Sequence, residues 1–278
     1  MYHNRNQSDS NQKSGRMMAA ENDDTISQKI GFLGTGSAFA STHTTGYFFR
    51  HNDLFLIDLS MKNMEAAKEL SRNCHNIYVL LTHMHSDHSS GIAEFCEWNY
   101  YIQSKVCKII AAGVLSSGIR QYMKIVGVPS LLYELIPMVC IDGGMYFPED
   151  PYLAEIVYRI VPTIHTPELE GYCFGFVLNV DGTRVVYTGD TATLKSFLPW
   201  VTPGCQFYTE MSFHHGVVHL LWEEQKKVLY ALADDMDIYL IHMDDEEALR
   251  NAVQGTNISI AQITYQKGRI DYETCCEC

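Results

Sequence analysis

The chain lacks any apolar run of 18 residues, so no segment is predicted to cross a membrane as a helix. Its first 28 residues are polar and rich in Asn, Gln, Ser and Asp, with no apolar core of signal-peptide length. They are expected to form a disordered tail ahead of a single folded domain over residues 29–278. Positive charge is scarce: 20 Lys and Arg stand against 33 Asp and Glu, a net charge of −13. No Lys/Arg run tracks a phosphate backbone, which weighs against a long nucleic acid as the main ligand. A small anionic substrate held by metal ions remains open. A disulfide framework is also missing, because the nine cysteines are odd in number and scattered, several of them in apolar runs. They read as free thiols in a reducing compartment, and the protein is expected to be cytoplasmic.

What is present is a β-rich pattern that occurs twice. Lys29–Ala38 reads as an apolar strand running into a Gly-rich turn. Gly34 and Gly36 are not followed by the third glycine of a dinucleotide fingerprint, so the turn reads as a tight loop near a site. A hairpin follows over Gly46–Arg50 and Leu54–Asp58, then a serine-capped helix over Ser60–Asn73 and a strand over Asn76–Leu81. A helix from Ser90 to about Ser104, a strand over Cys107–Ala112 and a helix to Val126 complete the first half. Residues 127–150, with Pro129, Pro137, Gly143, Gly144 and Pro148, read as irregular.

The second half opens with a predicted strand over Tyr152–Pro162, then a hairpin about Asp181-Gly182, the strongest turn signal in the chain. Strands ending at Glu210 and Ile241, helices over His219–Met236 and Asp244–Val253, and closing strands over Ile258–Ile263 and Arg269–Tyr272 are expected. Two β-rich halves, each followed by helices, predict an α/β sandwich of two mixed sheets with helices outside.

The candidate chemistry sits at strand ends. His83, His85, Asp87 and His88 fall within six residues directly after the apolar run Ile77–Leu81. Imidazole and carboxylate in that density suit zinc, with manganese or iron as alternatives. His165, Asp190 and His242 end later strands and bring the ligands to seven, enough for two divalent ions. His83, His85 and His165 would hold the first ion; Asp87, His88 and His242 would hold the second, with Asp190 bridging. Such a pair acidifies a shared water into a hydroxide nucleophile and polarises a phosphoryl or carbonyl oxygen.

Taken together, Thr82-His-Met-His-Ser-Asp-His88, His165, Gly189-Asp-Thr191 and His242 resemble the metallo-β-lactamase superfamily, from about residue 29 onward. The resemblance implies an αββα sandwich and a dinuclear, usually zinc, centre. Asp190 stands where the true lactamases carry a bridging cysteine, which argues against antibiotic hydrolysis. The His-x-His-x-Asp-His order also differs from the His-x-Glu pattern of the di-iron flavoprotein branch. A finer likeness is to ribonuclease Z and its phosphodiesterase relatives. His165 leads into Gly171-Tyr172, Glu210-Met-Ser-Phe213 is similar to their Glu-Ala-Thr-Phe element, and His219 precedes Leu220-Leu221 where they carry Ser-Thr. That branch implies that Glu210 orients His219, which protonates the leaving oxygen, and places Asp87 with them as catalytic; it is often a homodimer.

Only 24 residues separate His165 from Asp190, leaving no room for the Gly/Pro-rich arm with which tRNA-processing ribonuclease Z grips its substrate. The expected function is therefore hydrolysis of a small phosphodiester, such as a cyclic nucleotide, by a dinuclear metal site. The alternatives are a tRNA 3′ endonuclease, a thioester or lactone hydrolase, and a degenerate binding protein that keeps the metal. His43, His214, His215 and the Cys275–Cys278 tail have no assigned role.

Overall fold

A computed structural model describes residues 28–141, 144–147, 150–214 and 216–265. The expected tail over residues 1–27, the expected strand Arg269–Tyr272, His215 and Cys275–Cys278 lie outside the described residues.

The first sheet holds seven strands in sequence order: β1 (Gly31–Gly34), β2 (Thr45–Arg50), β3 (Asp53–Ile57), β4 (Ile77–Leu81), β5 (Cys107–Ala112), β6 (Tyr133–Ile141) and β7 (Gly144–Tyr146). β1 to β3 are antiparallel neighbours, and β3 to β6 run parallel. The parallel crossovers carry helices α1 (Met64–Ser71), α2 (Ser86–Ser89), α3 (Ile92–Gln103) and α4 (Ser116–Ile125). The second sheet repeats the plan, with α5 (Pro151–Ile156) leading into it. β8 (Val157–Pro162), β9 (Phe174–Val180) and β10 (Thr183–Tyr187) are antiparallel, and β11 (Gln206–Glu210), β12 (Asp237–Ile241) and β13 (Ile258–Ile260) follow in parallel. Helices α6 (Trp222–Leu232) and α7 (Glu246–Ala252) cover its outer face.

The strand period of two explains the four layers. On β4, Ile77, Val79 and Leu81 point to the helices, while Tyr78 and Leu80 point to the other sheet. On β12, Ile238 and Leu240 face the helices, while Tyr239 and Ile241 face inward. Strands buried on both faces read as continuous apolar runs, which is how these segments stand in the sequence. Phe55 stacks between Phe48 and Tyr78 at centroid distances of 4.9 and 4.5 Å, and Tyr208 stacks on Tyr239 at 4.8 Å. The expected sandwich of two mixed sheets flanked by helices is the fold observed.

Three local expectations are corrected. The stretch expected to be irregular contains β6, which pairs with β5 from Tyr133 to Met138. Pro137 is tolerated because β7 pairs only from Val139 onward, so the strand is an edge at the proline. Tyr152–Ile156 is helical, not extended, because the Asp150 side chain caps Leu153 N at 3.2 Å and Pro151 opens the helix. The helix expected from His219 begins at Trp222, which leaves His219 in the preceding loop.

Candidate metal centre

Five candidate side chains stand at or just beyond strand ends on one edge of the sandwich: His83 after β4, His165 after β8, Asp190 after β10, Glu210 closing β11 and His242 after β12. His85 immediately precedes the single turn of α2, which carries Asp87 and His88. The turn into Asp190 needs Gly189. Its φ is +58°, and an added Cβ would lie 2.7 Å from the Phe174 carbonyl oxygen. His242 itself is held at φ +50°, an uncommon conformation for a non-glycine residue.

These residues converge as two groups. In the first, His83 Nε2 lies 3.0 Å from His85 Nδ1, which lies 3.3 Å from His165 Nε2. In the second, His242 Nε2 is 3.2 Å from Asp87 Oδ2 and 3.3 Å from His88 Nε2. Asp190 stands between them and divides its oxygens. Its Oδ2 is 3.5 Å from His165 Nε2 and 3.8 Å from His83 Nε2, while its Oδ1 is 3.4 Å from His88 Nε2 and 3.5 Å from His242 Nε2. All seven ligand candidates from the sequence are thus brought together, and each group offers donors within 4.8 Å of one another.

The rear nitrogens set the tautomers. His165 Nδ1 donates to the Val218 carbonyl at 2.9 Å, so its inward Nε2 carries the lone pair. His88 Nδ1 donates to Asp58 Oδ2 at 2.8 Å. The Thr82 hydroxyl donates to the same Asp58 oxygen at 2.8 Å and therefore accepts from His83 Nδ1 at 3.0 Å. Asp58 thus anchors one histidine of each group, directly or through Thr82. Sequence reasoning missed it, although an aspartate ending an apolar strand was the same signal that marked the others. Asp58 is fully buried, with φ at +60°.

Burial lowers the basicity of His83, His85 and His165, keeping them neutral as metal ligation requires. Burial would raise the carboxyl groups of Asp87 and Asp190, but the surrounding histidines outweigh it and hold both well below the usual range. His88 is shifted upward: burial opposes its charge, but Asp190 and Asp58 overcome it. Among the described residues, no lysine or arginine pairs with Asp87, Asp190 or Glu210. Buried carboxylates with only imidazoles as counter-charges suit a divalent cation, which would take over the role of the His88 proton.

Beside this cluster, Glu210 Oε2 accepts from His219 Nδ1 at 2.7 Å, and Glu210 Oε1 accepts from Thr191 N. Burial opposes the charge on His219, but Glu210 lifts it to about 9, leaving it protonated near neutral pH. Although outside the helix, His219 is fixed by its neighbours, because Ser212 N bonds Leu220 O at 2.8 Å and Ser212 bridges to Leu221. His43 Nε2 bonds Ala38 O at 2.9 Å and the residue lies near enough to Asp87 and His88 to feel their charges, while His214 bonds Asp245 Oδ2 at 3.0 Å.

The family described as Anti-Pycsar protein Apyc1 matches residues 28–264. The chain belongs to that family. It is 22% identical over 253 residues to the Anti-Pycsar protein Apyc1 of Bacillus phage 010DV004, covering 78% of this chain and 89% of the phage protein. Among solved structures, the metallo-β-lactamase fold protein YhfI from Bacillus subtilis superposes with a TM-score of 0.65 at 17% identity, over 85% of this chain and 97% of YhfI. The short form of human tRNase Z gives a TM-score of 0.55 at 16% identity, over 77% of this chain and 92% of the human protein. The fold is therefore that of the metallo-β-lactamases, and this family member is a metal-dependent hydrolase. No helix among the described residues is long and apolar enough to cross a membrane.

Proposed function

We propose that the chain is a dinuclear, zinc-dependent phosphodiesterase that opens the phosphodiester ring of a cyclic nucleotide. The observation that carries this reading is the division of Asp190, one oxygen toward His83 and His165 and the other toward His88 and His242. A carboxylate so placed suits a bridge between two cations. The family match supports a cyclic-nucleotide substrate, and the nitrogen-rich donor set supports zinc, with manganese as the alternative.

Divalent cations, when bound, acidify water to a nucleophile and neutralise phosphoryl charge. His83, His85, His165 and Asp190 would hold one ion, and Asp87, His88, His242 and Asp190 the other. The protein's own contribution to bond cleavage is His219. An alkoxide leaves poorly, and an imidazolium held by Glu210 can hand it a proton. Glu210 orients His219 through Nδ1, leaving Nε2 free to face the departing oxygen.

The test is a chromatographic assay of 3′,5′-cyclic mononucleotides with protein reconstituted in zinc or manganese. Linear nucleoside monophosphate should appear, and a chelator should stop its formation. Cleavage of acyl esters with every phosphodiester left intact would overturn the proposal.

A further inference from the structure

One loop beside the centre has a feature that neither the core nor the ligand set explains. Residues 36–43 are tied down along their length: Ser37 N bonds Met243 O at 2.9 Å, and Gly36 bridges to Met243, the residue that follows His242. Thr44 Oγ1 donates to Gly36 O at 3.1 Å and accepts from His242 N at 3.0 Å, so one hydroxyl joins the loop to the ligand's backbone. Across the loop, His43 bonds Ala38 O and Lys62 Nζ bonds Ala40 O at 2.5 Å. The turn is closed so tightly that a Cβ on Gly36 would sit 2.4 Å from Thr42 O. At the tip of this braced loop, Phe39 is 100% exposed.

A phenyl ring wholly in water contributes nothing to folding, yet the backbone beneath it is held by at least four contacts. Such an arrangement is preorganised for a ligand, because little entropy remains to be lost on binding. Its position fits one. Phe39 is two residues from Ser37, within about 7 Å along the chain, and Ser37 is bonded to the neighbour of His242. Phe39 therefore stands on a loop that borders the centre. Two further apolar side chains flank ligand-holding residues: Ile164, exposed beside His165, and Val217, 93% exposed beside the Val218 carbonyl that orients His165. Exposed apolar residues thus adjoin, along the chain, residues that build the charged centre.

We propose that Phe39 is the platform on which the nucleobase of the substrate stacks while its cyclic phosphate sits at the His/Asp centre. This rests on the cyclic-nucleotide reading given above. Aromatic stacking tolerates different bases, because each presents a π face, and it acts on binding without touching the reacting bond. Phe39 is therefore a substrate-binding residue that holds the base and takes no part in the bond cleavage.

The experiment compares wild type, Phe39→Ala and Phe39→Trp on two substrates, a 3′,5′-cyclic mononucleotide and the base-free methyl ribofuranoside 3′,5′-cyclic phosphate. Thermal unfolding first checks that the variants match wild type. With the nucleotide, Phe39→Ala should raise KM about tenfold with kcat nearly unchanged, and Phe39→Trp should retain the wild-type KM. With the base-free substrate, all three proteins should behave alike. An unchanged nucleotide KM in Phe39→Ala, or an equal rise with the base-free substrate, would overturn the platform while leaving the proposed activity standing. Wild-type protein that hydrolyses neither substrate would instead overturn the proposed activity, and the platform with it.

Discussion

Asp58 Oδ2 lies 2.8 Å from His88 Nδ1, and both side chains are sealed from solvent. The same carboxylate accepts from Thr82 N and from the Thr82 hydroxyl, each at 2.8 Å, and through that hydroxyl it reaches His83. One residue at the end of β3 thereby sets the orientation of a histidine in each half of the centre. Partners behind a ligand of this kind are typically worth 10- to 100-fold in metal affinity. Asp58→Asn should weaken zinc binding by about that factor, measured by competition with a chromophoric chelator. An affinity equal to wild type would show that His83 and His88 are positioned without it.

The pair Glu210–His219 should act on the leaving group and not on metal binding. His219→Ala is expected to retain its metal content by elemental analysis while losing about 100- to 10,000-fold in turnover of a cyclic nucleotide. The loss should be far smaller with bis(p-nitrophenyl) phosphate, whose phenolate leaves without a proton. Equal losses on both substrates would remove the general-acid role.

Removing the cation should also register as lost stability, because the buried carboxylates of Asp87 and Asp190 then have only histidines to compensate them. At a metal concentration about 100-fold over Kd, binding contributes about 2.7 kcal/mol. Chelation should thus lower the unfolding midpoint by about 5 to 10 °C in a chain of this size. Restoring zinc should recover both the midpoint and the activity, and a midpoint indifferent to chelator would speak against a cation in the centre.

A pH effect follows from Asp244. Burial would raise its carboxyl group, but donors from Phe213 N and Ser212 Oγ, each at 2.6 Å, and from His214 N at 3.0 Å hold it below the ordinary carboxylate value. These bonds fasten the loop between Glu210 and His219 to the residue pair that follows His242. A group made more acidic by folding stabilises the protein fully above its unfolded pKa, and that contribution is lost as pH falls through the folded value. Asp244→Asn should therefore be destabilised at about pH 7 and converge on wild type towards about pH 3, followed by urea unfolding. A gap that stays constant with pH would mean that the charge of Asp244 is not involved.

Much of the centre is legible in the linear order of the residues. His83 to His88 stand together because a single turn after β4 can aim several side chains at one place, and that density survives in the chain. His165, Asp190, Glu210 and His242 are marked because each closes or follows an apolar run. Asp58 follows the same rule yet escapes notice, since the neighbouring hairpin already accounts for a polar residue there. The departures in the fold have local causes. Asp150-Pro151 begins a helix within a stretch rich in strand-forming residues, and β6 is hidden by a proline acceptable only because the strand has an edge there. A helix from His219 is expected because helical periodicity runs on from Trp222. The residue's actual position depends on a bridge between Ser212 and Leu221 that no periodic pattern records.

By itself, then, the sequence determined the layer architecture and the set of candidate ligands that converge, since both depend on residue type and short-range periodicity. Two buried faces demand continuous apolar strands, and cation binding demands imidazoles and carboxylates at strand ends. Tertiary structure alone decided the rest: that Asp190 turns one oxygen to each group, that Asp58 stands behind His88, and that the Phe39 loop is fastened to the residue after His242. Asp58 and His88 are 30 positions apart, and Ser37 and Met243 lie in different halves of the chain. Only the packing of strand on strand and sheet on sheet brings such groups within hydrogen-bond distance.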